Sequence, residues 1–253
     1  MARLNVTPVK STGLQHPDRI RLESFGAVGN RDFFVVDEGG RMLSTSWKAR
    51  LLPIGSSYDP DEDRLELRLP DGVVAAGPAS AGGEPLTVDF YGRAVAAHVV
   101  DGEFDGALTR FLGRPVRLAR VDTPGAGIDV RPVTLVSLAS VDELSRQGGS
   151  AFRVDPGRFR MLIEIDGAGA HEEDSWGGLR VRVGEAVIEV GKPVPRCVVT
   201  TLDPETGVRD FPTLSVIKRY RGVSAGGELP FGVYADVVRA GTVRVGDPVE
   251  VLG

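Results

Sequence analysis

Apolar and polar residues alternate in short runs over most of the chain, and this pattern predicts β-strands. In Arg64-Leu-Glu-Leu-Arg-Leu69 every second residue is apolar, which is the period of a strand with one buried face. Other runs rich in Val, Ile, Phe and Tyr lie between glycine, proline and aspartate turns. We therefore expect strands at positions 4–9, 20–22, 30–37, 86–100 (a pair), 116–121, 132–137, 158–165, 179–183, 186–190, 198–202 and 234–251.

Three stretches depart from the strand pattern and predict about three short helices. Apolar residues at positions 104, 107, 108, 111 and 112 recur at helical spacing, and Gly113 and Pro115 end the pattern. Ser140 is followed three residues later by Glu143, which is the capping-box signature of a helix that begins at Ser140. The third predicted helix covers residues 213–221.

The length of 253 residues allows two modest domains or one large β-rich unit. The 33 glycines and 17 prolines fit a fold of many short strands joined by tight turns. Residues 77–85 are mostly small and predict an exposed connector. We therefore expect a mainly β protein with a smaller β domain over residues 1–85 and a larger β domain over residues 86–253.

Charge and composition exclude several classes of function. A net charge of −5 opposes a general nucleic-acid binder, which needs a broad basic surface. Any anionic ligand must therefore meet a local basic cluster. The three histidines lack the spacing of metal ligands, which opposes a zinc site made of Cys and His. No apolar run approaches about 18 residues, and the N-terminus lacks the apolar segment of a signal peptide, so we expect a cytoplasmic protein without a membrane partner.

Cys197 is the only cysteine, so the chain cannot form an internal disulfide, which fits a reducing compartment. Prolines at positions 193 and 195 cannot donate to a sheet ladder and predict an irregular or edge segment just before the next strand. Lys192 and Arg196 lie close by in sequence, and nearby cations favour the thiolate, the form that ligates metals or carries sulfur. A lone cysteine can equally be a small buried hydrophobic residue. Both interpretations stay open at this point.

Basic and hydroxyl side chains occur at the predicted ends of strands that are far apart in the chain. Lys10 and Ser11 follow the first strand, Arg31 opens a later one, and Arg158 and Arg160 begin another. One such arginine alone indicates little, because most arginines are solvated surface charges. Together these residues would suit a phosphate-bearing cofactor held by basic groups, with the thiol at its reactive atom.

The segments around these residues resemble the MOSC family, a domain first named from the C-terminus of molybdenum cofactor sulfurase. The cysteine motif over residues 192–207 carries the most specific part of the resemblance, Pro195-Arg-Cys-Val-Val-Thr-Thr-Leu-Asp-Pro-Glu-Thr-Gly207. The other matching motifs follow in order over nearly the whole chain: Pro8-Val-Lys-Ser11, Gly29-Asn-Arg31, Phe33-Phe-Val-Val-Asp37, Arg158-Phe-Arg160, Glu173-Asp-Ser-Trp176 and the ending from Val233-Tyr234 to Gly246-Asp247. The resemblance implies a MOSC-type β-barrel over residues 86–253 and the family's N-terminal β domain over residues 1–85.

The resemblance also implies a cofactor and its site. In the amidoxime-reducing members of the family, the matching cysteine ligates molybdenum of the molybdenum cofactor (molybdopterin), and basic residues hold the pterin phosphate. Cys197 is thereby implied as metal ligand and catalytic residue. The implied cofactor contacts are Lys10, Ser11, Arg31, Arg131, Arg158, Arg160 and Arg196. The chain departs from the family pattern at Asn30, at Arg131 and at Met161-Leu162.

Three functions are compatible with this resemblance. The first is a molybdenum cofactor-dependent oxidoreductase that reduces N-hydroxylated small molecules. Because one cysteine cannot hold an iron–sulfur cluster, separate electron-transfer proteins would be its partners. The second is a sulfurtransferase or sulfur carrier that holds a persulfide on Cys197 and receives the sulfur from a cysteine desulfurase. The third is a non-catalytic small-molecule-binding module, which the departures from the family pattern allow.

Overall fold

The computed structural model describes residues 1–43, 45–80 and 82–252, so Ser44 of the first predicted domain, Ala81 of the predicted connector and Gly253 of the second predicted domain lie outside the described residues. Over the described residues the protein is mainly β, as predicted, and its sheets curl into half-barrels. This part of the chain contains four α-helices rather than about three: α1 (Thr45–Leu51), α2 (Phe104–Leu112), α3 (Leu138–Gln147) and α4 (Thr213–Arg221).

Shorter 3₁₀-helices accompany them at Pro156–Phe159, Glu172–Trp176 and Val198–Thr201. Within the described ranges, none of the helices combines the length and apolar character needed to cross a bilayer. The strands of the described residues are β1 (Arg3–Leu4), β2 (Arg19–Glu23), β3 (Gly26–Ala27), β4 (Phe33–Val36), β5 (Gly55–Asp59), β6 (Arg64–Arg68), β7 (Val74–Pro78), β8 (Pro85–Phe90), β9 (Arg93–Val99), β10 (Arg117–Val121), β11 (Val133–Ser137), β12 (Ile163–Ile165), β13 (Arg180–Val183), β14 (Ala186–Pro195), β15 (Pro230–Arg239), β16 (Gly241–Arg244) and β17 (Val249–Val251).

The largest sheet contains seven of these strands, in the order β1-β12-β11-β15-β14-β13-β17. β11 and β12 run parallel, and the other neighbours run antiparallel. Buried side chains of neighbouring strands, among them Leu135, Ile163, Ile188 and Val233, pack with Trp176 in one apolar core. Burying one such side chain contributes about 1.5–3 kcal/mol, so this core favours the observed register over slipped alternatives.

The first half of the chain builds a second apolar core. The sheets β4-β10-β9-β8 and β5-β6-β7 enclose Phe33 and Leu65, and α2 adds Phe104. This helix was predicted, and it ends as predicted. Gly113 adopts the left-handed conformation with a φ of 72°, and its N–H donates to the Thr109 carbonyl, which is the usual way in which glycine closes a helix.

The end of β14 is irregular because of its prolines. β14 continues beyond residue 190, the predicted end of that strand, as far as Pro195. Pro193 pairs with Val233 and Pro195 with Pro230, with shifts of register on the way. Proline has no N–H to donate, so a regular ladder cannot form here. The two residues that follow this strand end line the cavity described below.

The prediction of a strand over residues 198–202 was wrong. The segment forms the 3₁₀-helix Val198–Thr201, because its threonine hydroxyls bond back to the main chain. Thr200 Oγ1 donates to the Cys197 carbonyl (3.0 Å), and Thr201 Oγ1 donates to the Val198 carbonyl (2.7 Å). Such local side-chain bonds compete with strand pairing.

The predicted strand over residues 158–165 is also shorter than expected. Asp155 Oδ1 accepts the Gly157 N–H (2.7 Å) and caps the 3₁₀-helix that follows, and Arg160 then adopts a left-handed φ of 52°. β12 therefore begins only at Ile163. The predicted first strand over 4–9 is likewise reduced to β1, and the rest of it makes isolated bridges at Val6 and Val9.

The capping residue of α3 differs from the prediction. Ser137, not Ser140, is the N-cap, and its Oγ accepts the Ala139 N–H (3.2 Å). Ser140 lies one turn inside the helix, where its hydroxyl donates to both oxygens of Glu173 (2.8 and 3.0 Å). Glu173 Oε1 also accepts the Ser137 N–H (3.3 Å), so a glutamate from a distant segment caps this end of the helix.

Candidate functional site

One cavity of about 360 Å³ is lined by every side chain that the sequence nominated as a site residue. These are Lys10, Ser11, Arg31, Arg131, Arg158, Arg160, Arg196 and Cys197. They come from the segment after β1, from the turn between β3 and β4, from the loop between β10 and β11, from the turn before β12 and from the end of β14. Their roles as ligand contacts stay predictions, but the fold brings all of them to one place.

Lys10 forms an ion pair inside this cavity. Its backbone N–H donates to the Phe33 carbonyl (2.8 Å), which ties the segment to β4. Its Nζ donates to Asp129 Oδ1 (2.8 Å) and to the Gly127 carbonyl (3.3 Å), and it lies 4.8 Å from the centre of the Phe90 ring. The ammonium group is buried, so a counterion stabilises it more strongly than it would in water.

Arg31 approaches the same carboxylate from another side. Its Nη1 donates to Asp129 Oδ2 (2.6 Å). The Arg31 backbone has a φ of 62°, and the preceding residue fixes this turn because Asn30 Oδ1 accepts the Thr7 N–H (2.9 Å). Asp129 therefore bridges the two cations, with one carboxylate oxygen for Lys10 and the other for Arg31.

Arg160 holds a buried donor that lacks a partner among the described residues. Its Nη2 donates to the Thr12 carbonyl (2.7 Å), whereas Nη1 is buried and has no hydrogen-bond acceptor in the described part of the chain. Burial, together with the charge of Arg31, lowers the pKa of Arg160 to about 9. Because buried donors in folded proteins are nearly always paired, Nη1 indicates a place for a ligand atom or a water.

Arg196 is oriented by neutral acceptors. Its Nε and Nη2 donate to the Phe231 carbonyl (2.8 and 2.6 Å), and Nη1 donates to the Phe159 carbonyl (3.0 Å). The guanidinium carbon lies 5.3 Å from the centre of the Phe159 ring. Burial lowers the pKa of Arg196 to about 10. The carbonyls fix the direction of this group without neutralising its charge.

Cys197 is exposed beside that arginine, which contradicts the interpretation of the thiol as a buried hydrophobic residue. Its backbone is extended, and its carbonyl accepts both the N–H and the hydroxyl of Thr200 (3.2 and 3.0 Å). The thiol is therefore anchored through its main chain at the wall of the cavity, where a ligand can reach the sulfur.

Arg158 and Arg131 pair with carboxylates that do not line the cavity. Arg158 is buried, and its two terminal nitrogens donate to Asp210 (3.2 and 3.0 Å) while Nη1 also donates to the Thr200 carbonyl (3.2 Å). Arg131 is exposed and lies 3.1 Å from Asp236. Arg158 thus supports the 3₁₀-helix after the thiol, and Arg131 adds charge at the rim.

Comparison with known proteins identifies the family. Residues 122–250, about half of the chain, match the family model described as MOSC domain, and residues 1–115 match the model described as MOSC N-terminal beta barrel domain. This protein belongs to the MOSC family. The resemblance inferred from the cysteine motif is thereby confirmed.

Several similar proteins are mitochondrial amidoxime-reducing components. Component 2 of Rattus norvegicus is 26% identical over 253 residues, which cover 88% of this MOSC chain and 73% of that protein. Component 1 of Danio rerio is 28% identical over 288 residues, covering 98% and 83%. Component 1 of Mus musculus is 37% identical over 132 residues, covering 49% and 38%, so that match spans well under two thirds of the mouse protein.

Two solved structures show a weaker likeness to this MOSC chain. The YUAD protein from Bacillus subtilis has 13% identity and a TM-score of 0.43, over 98% of this chain and 92% of that one. YiiM from Geobacillus stearothermophilus has 18% identity and a TM-score of 0.36, over 49% and 55%.

The MOSC cavity also contains residues that the sequence did not single out. Asp129 is the one carboxylate among the described lining residues, and its signal in the sequence is its place at the start of Asp129-Val-Arg131-Pro132, the segment that departs from the family pattern at Arg131. Tyr234 of β15 also lines the cavity, and burial raises the pKa of its hydroxyl. The apolar part of the wall consists of Leu52, Phe159, Met161, Val194 and Val199.

The charge of the cavity is opposite to that of the whole MOSC chain. Six cationic side chains and one carboxylate line it within the described ranges, whereas the chain carries a net charge of −5. No group of His, Cys, Asp and Glu among the described residues could hold a metal ion by itself. The arrangement suits an organic anion that extends from the basic groups to Cys197.

Proposed function

We propose that this protein binds the molybdenum cofactor and reduces N-hydroxylated small molecules, with Cys197 as the protein ligand of the molybdenum. The observation that carries the proposal is the exposed thiol at the wall of a cavity whose lining also includes Arg160, with its unpaired Nη1. The similarity to amidoxime-reducing components over most of the chain supports the reaction class.

The residues present fit such a cofactor. Six non-glycine residues in the described ranges have a positive φ, and four of them line the cavity: Ser11, Arg31, Tyr91 and Arg160. Residues with this strained backbone cluster at ligand sites, where the surrounding fold maintains them. The strain, the unpaired Arg160 nitrogen and the excess of positive charge all favour a phosphorylated ligand over an apolar one.

Each residue has a defined part in this proposal. Arg160, Arg31, Lys10 and Ser11 would hold the phosphate, and Cys197 would ligate the metal. Arg196 and Arg158 would act through the backbone, because they fix the carbonyls of Phe231 and Thr200 and so position the thiol segment. When bound, the cofactor supplies two-electron redox chemistry, by which an N–OH group accepts two electrons and two protons, loses water and becomes N–H.

Electrons would come from separate proteins. A chain with one cysteine cannot build an iron–sulfur cluster of its own, and the proposed use of that cysteine as a metal ligand removes it from any other redox task. We therefore propose that an electron-transfer partner docks near the mouth of the cavity.

The exposure of Cys197 also supports a second candidate, a sulfur carrier. A solvent-accessible thiol can attack the persulfide of a cysteine desulfurase, take the outer sulfur and release the thiol of the donor. This activity would need neither Arg160 nor the ion pairs of Asp129. Sulfur that cyanide releases from molybdenum-free protein, and that Cys197→Ser lacks, would support the sulfur carrier and oppose the reductase.

The reductase activity is tested with benzamidoxime as substrate and dithionite-reduced methyl viologen as electron donor. Protein is produced in a host that makes the cofactor, and benzamidine is measured as the product. We expect turnover by the wild type and by the matched control Val198→Ala, which changes the exposed neighbour of the thiol. Cys197→Ser should lose turnover while keeping its thermal unfolding temperature. Equal turnover by Cys197→Ser and the wild type would contradict the proposal.

A further inference from the structure

We infer that Asp129 is a displaceable counterion, whose carboxylate holds the position on Lys10 and Arg31 that a phosphate group of the ligand takes over. The inference rests on the proposed function for the identity of that ligand, a phosphate monoester. Asp129 thereby lowers the affinity of the cavity for phosphate, because its carboxylate competes for the same two cations.

The geometry of the bridge resembles that of a bound phosphate. Asp129 Oδ1 lies 2.8 Å from Lys10 Nζ, and Oδ2 lies 2.6 Å from Arg31 Nη1. One anionic group thus engages two cations through separate oxygens, as phosphates do at basic sites. The charge of Asp129 also acts on Arg160, where it opposes the lowering of the pKa that burial causes.

The other lining cations are not neutralised from within the cavity. Arg158 and Arg131 pair with Asp210 and Asp236, which do not belong to the lining. Arg196 bonds to carbonyls. Asp129 is therefore the carboxylate with which an entering phosphate would compete, within the part of the chain that the structure describes.

Of the two sides of this ion pair, the carboxylate is the one that can leave. The Asp129 side chain is 40% exposed, whereas that of Lys10 is 6% exposed. Water solvates a carboxylate that is 40% exposed more easily than a buried ammonium, so the carboxylate is the partner that turns away. Leaving the buried ammonium without an anion is unfavourable, so Asp129 has moved away in only a small fraction of the molecules. The loop backbone can stay in place, because Arg93 Nη2 donates to the Ala126 and Ile128 carbonyls (2.8 and 2.9 Å).

Competition of this kind lowers the apparent affinity for phosphate. A ligand binds only the fraction of molecules in which Asp129 has moved away, so the measured dissociation constant rises by the inverse of that fraction. Removing the charge of Asp129 while keeping its shape removes this competition, so every molecule can bind a phosphate at Lys10 and Arg31.

The test is isothermal titration of the full chain, prepared without molybdenum, with inorganic phosphate and with phenyl phosphate at constant ionic strength. Asp129→Asn should bind both probes about tenfold more tightly than the wild type. Asp129→Glu keeps the charge and should stay within about threefold of the wild type. Asp142→Asn is the matched control, because it removes an equal charge from the exposed pair with Arg153, and it should leave both affinities unchanged.

Several outcomes overturn the inference. Equal or weaker binding by Asp129→Asn would mean that the carboxylate only positions Lys10 and Arg31. The same gain in Asp142→Asn would reduce the effect to net charge. Should Asp129→Asn unfold, Asp129→Ser replaces it with the same expectation.

Absence of phosphate binding in every variant also contradicts the inference. The molybdenum content of the protein tests the proposed function separately. If Asp129→Asn binds both probes more tightly than the wild type, and phenyl phosphate binds more tightly than inorganic phosphate, the ligand is a phosphate ester.

Discussion

Arg160 and Thr12 are joined by a hydrogen bond of 2.7 Å between Nη2 and the carbonyl oxygen, across 148 residues of sequence. The bond fixes one terminal nitrogen of the guanidinium and leaves the other, Nη1, buried without a partner among the described residues. The two segments that this bond connects belong to different family models. The candidate site is thus built where these two parts of the chain meet.

Arg160→Ala should weaken the binding of inorganic phosphate by about 1.5–3 kcal/mol, because a charged hydrogen bond in a shielded place is lost. Titration calorimetry of the wild type and the variant measures this difference. Arg182→Ala is the matched control, since it removes an equal charge from an exposed pair with Glu250 that does not line the cavity. An equal loss in both variants would show that only overall charge matters.

Gly127→Ala should disturb the cavity through the backbone. A Cβ at residue 127 would lie 1.9 Å from the Arg31 carbonyl oxygen and 3.1 Å from a ring carbon of Phe34, so the loop that carries Asp129 must move. We expect a loss of unfolding free energy of about 1–3 kcal/mol and weaker phosphate binding, measured by urea unfolding and calorimetry.

Gly106→Ala provides the control for that substitution. Gly106 lies within α2, and a Cβ at this residue would have Arg110 Nη1 as its nearest neighbour, at 3.8 Å. Replacing a helical glycine with alanine should stabilise the protein by about 0.5–1 kcal/mol. If Gly127→Ala also proved neutral or stabilising, the close approach of the loop to Arg31 would not constrain the cavity.

Arg196→Lys should destabilise the protein by about 2–3 kcal/mol, although the charge is retained. A lysine has one ammonium group on a flexible chain, so it cannot serve the carbonyls of Phe159 and Phe231 with a planar fork and cannot stack on the Phe159 ring in the same way. Urea unfolding of this variant and of Arg131→Lys, at the exposed rim, checks the expectation. Equal small effects would contradict the orienting role of Arg196.

Glu173 should make the unfolding free energy depend on pH. Its carboxyl is fully buried, and burial raises its pKa from 4.5 to about 7. Between these values the folded protein retains a proton that the unfolded chain has released, so stability is full below pH 4.5 and falls as the pH rises through 7. The total loss is about 3 kcal/mol.

Glu173→Gln should remove this loss, because an amide does not ionise and its oxygen can still accept from Ser140. The measurement is the unfolding free energy of both proteins in urea at pH 5 and pH 8, and the change between the two pH values is compared between the wild type and Glu173→Gln. Burial lowers the pKa of His171 to about 4, so its contribution to the unfolding free energy is lost as the pH falls below 6.5. This contribution is the same in both proteins and cancels when their pH dependences are subtracted. Parallel pH profiles would show that Glu173 ionises normally in the folded state.

The local parts of the fold could be predicted from the sequence. α2 and the hairpin of β8 and β9 follow from patterns of apolar residues and turn glycines that lie within about 15 residues of one another. Two of the errors occurred where side chains bond to the main chain. The hydroxyls of Thr200 and Thr201 and the carboxylate of Asp155 turn apparent strands into 3₁₀-helices, and strand propensity contains no information on such bonds.

The candidate site could be predicted as a set of residues but not as an arrangement. Motif order and the family resemblance nominated the cations and Cys197, and all of them line one cavity. The pairing of Asp129 with Lys10 and Arg31 joins residues 119 and 98 positions apart, so only the folded chain reveals it. The unpaired nitrogen of Arg160 is likewise a consequence of packing.

The central claim is that Cys197 holds molybdenum in this cavity, and the metal content of the protein tests it most directly. Wild type and Cys197→Ser, both produced in a host that makes the cofactor and both shown to be folded, are analysed for molybdenum by elemental mass spectrometry. The account predicts close to one molybdenum per wild-type chain and almost none in Cys197→Ser. Wild-type protein free of molybdenum, or an equal molybdenum content in both proteins, would contradict it.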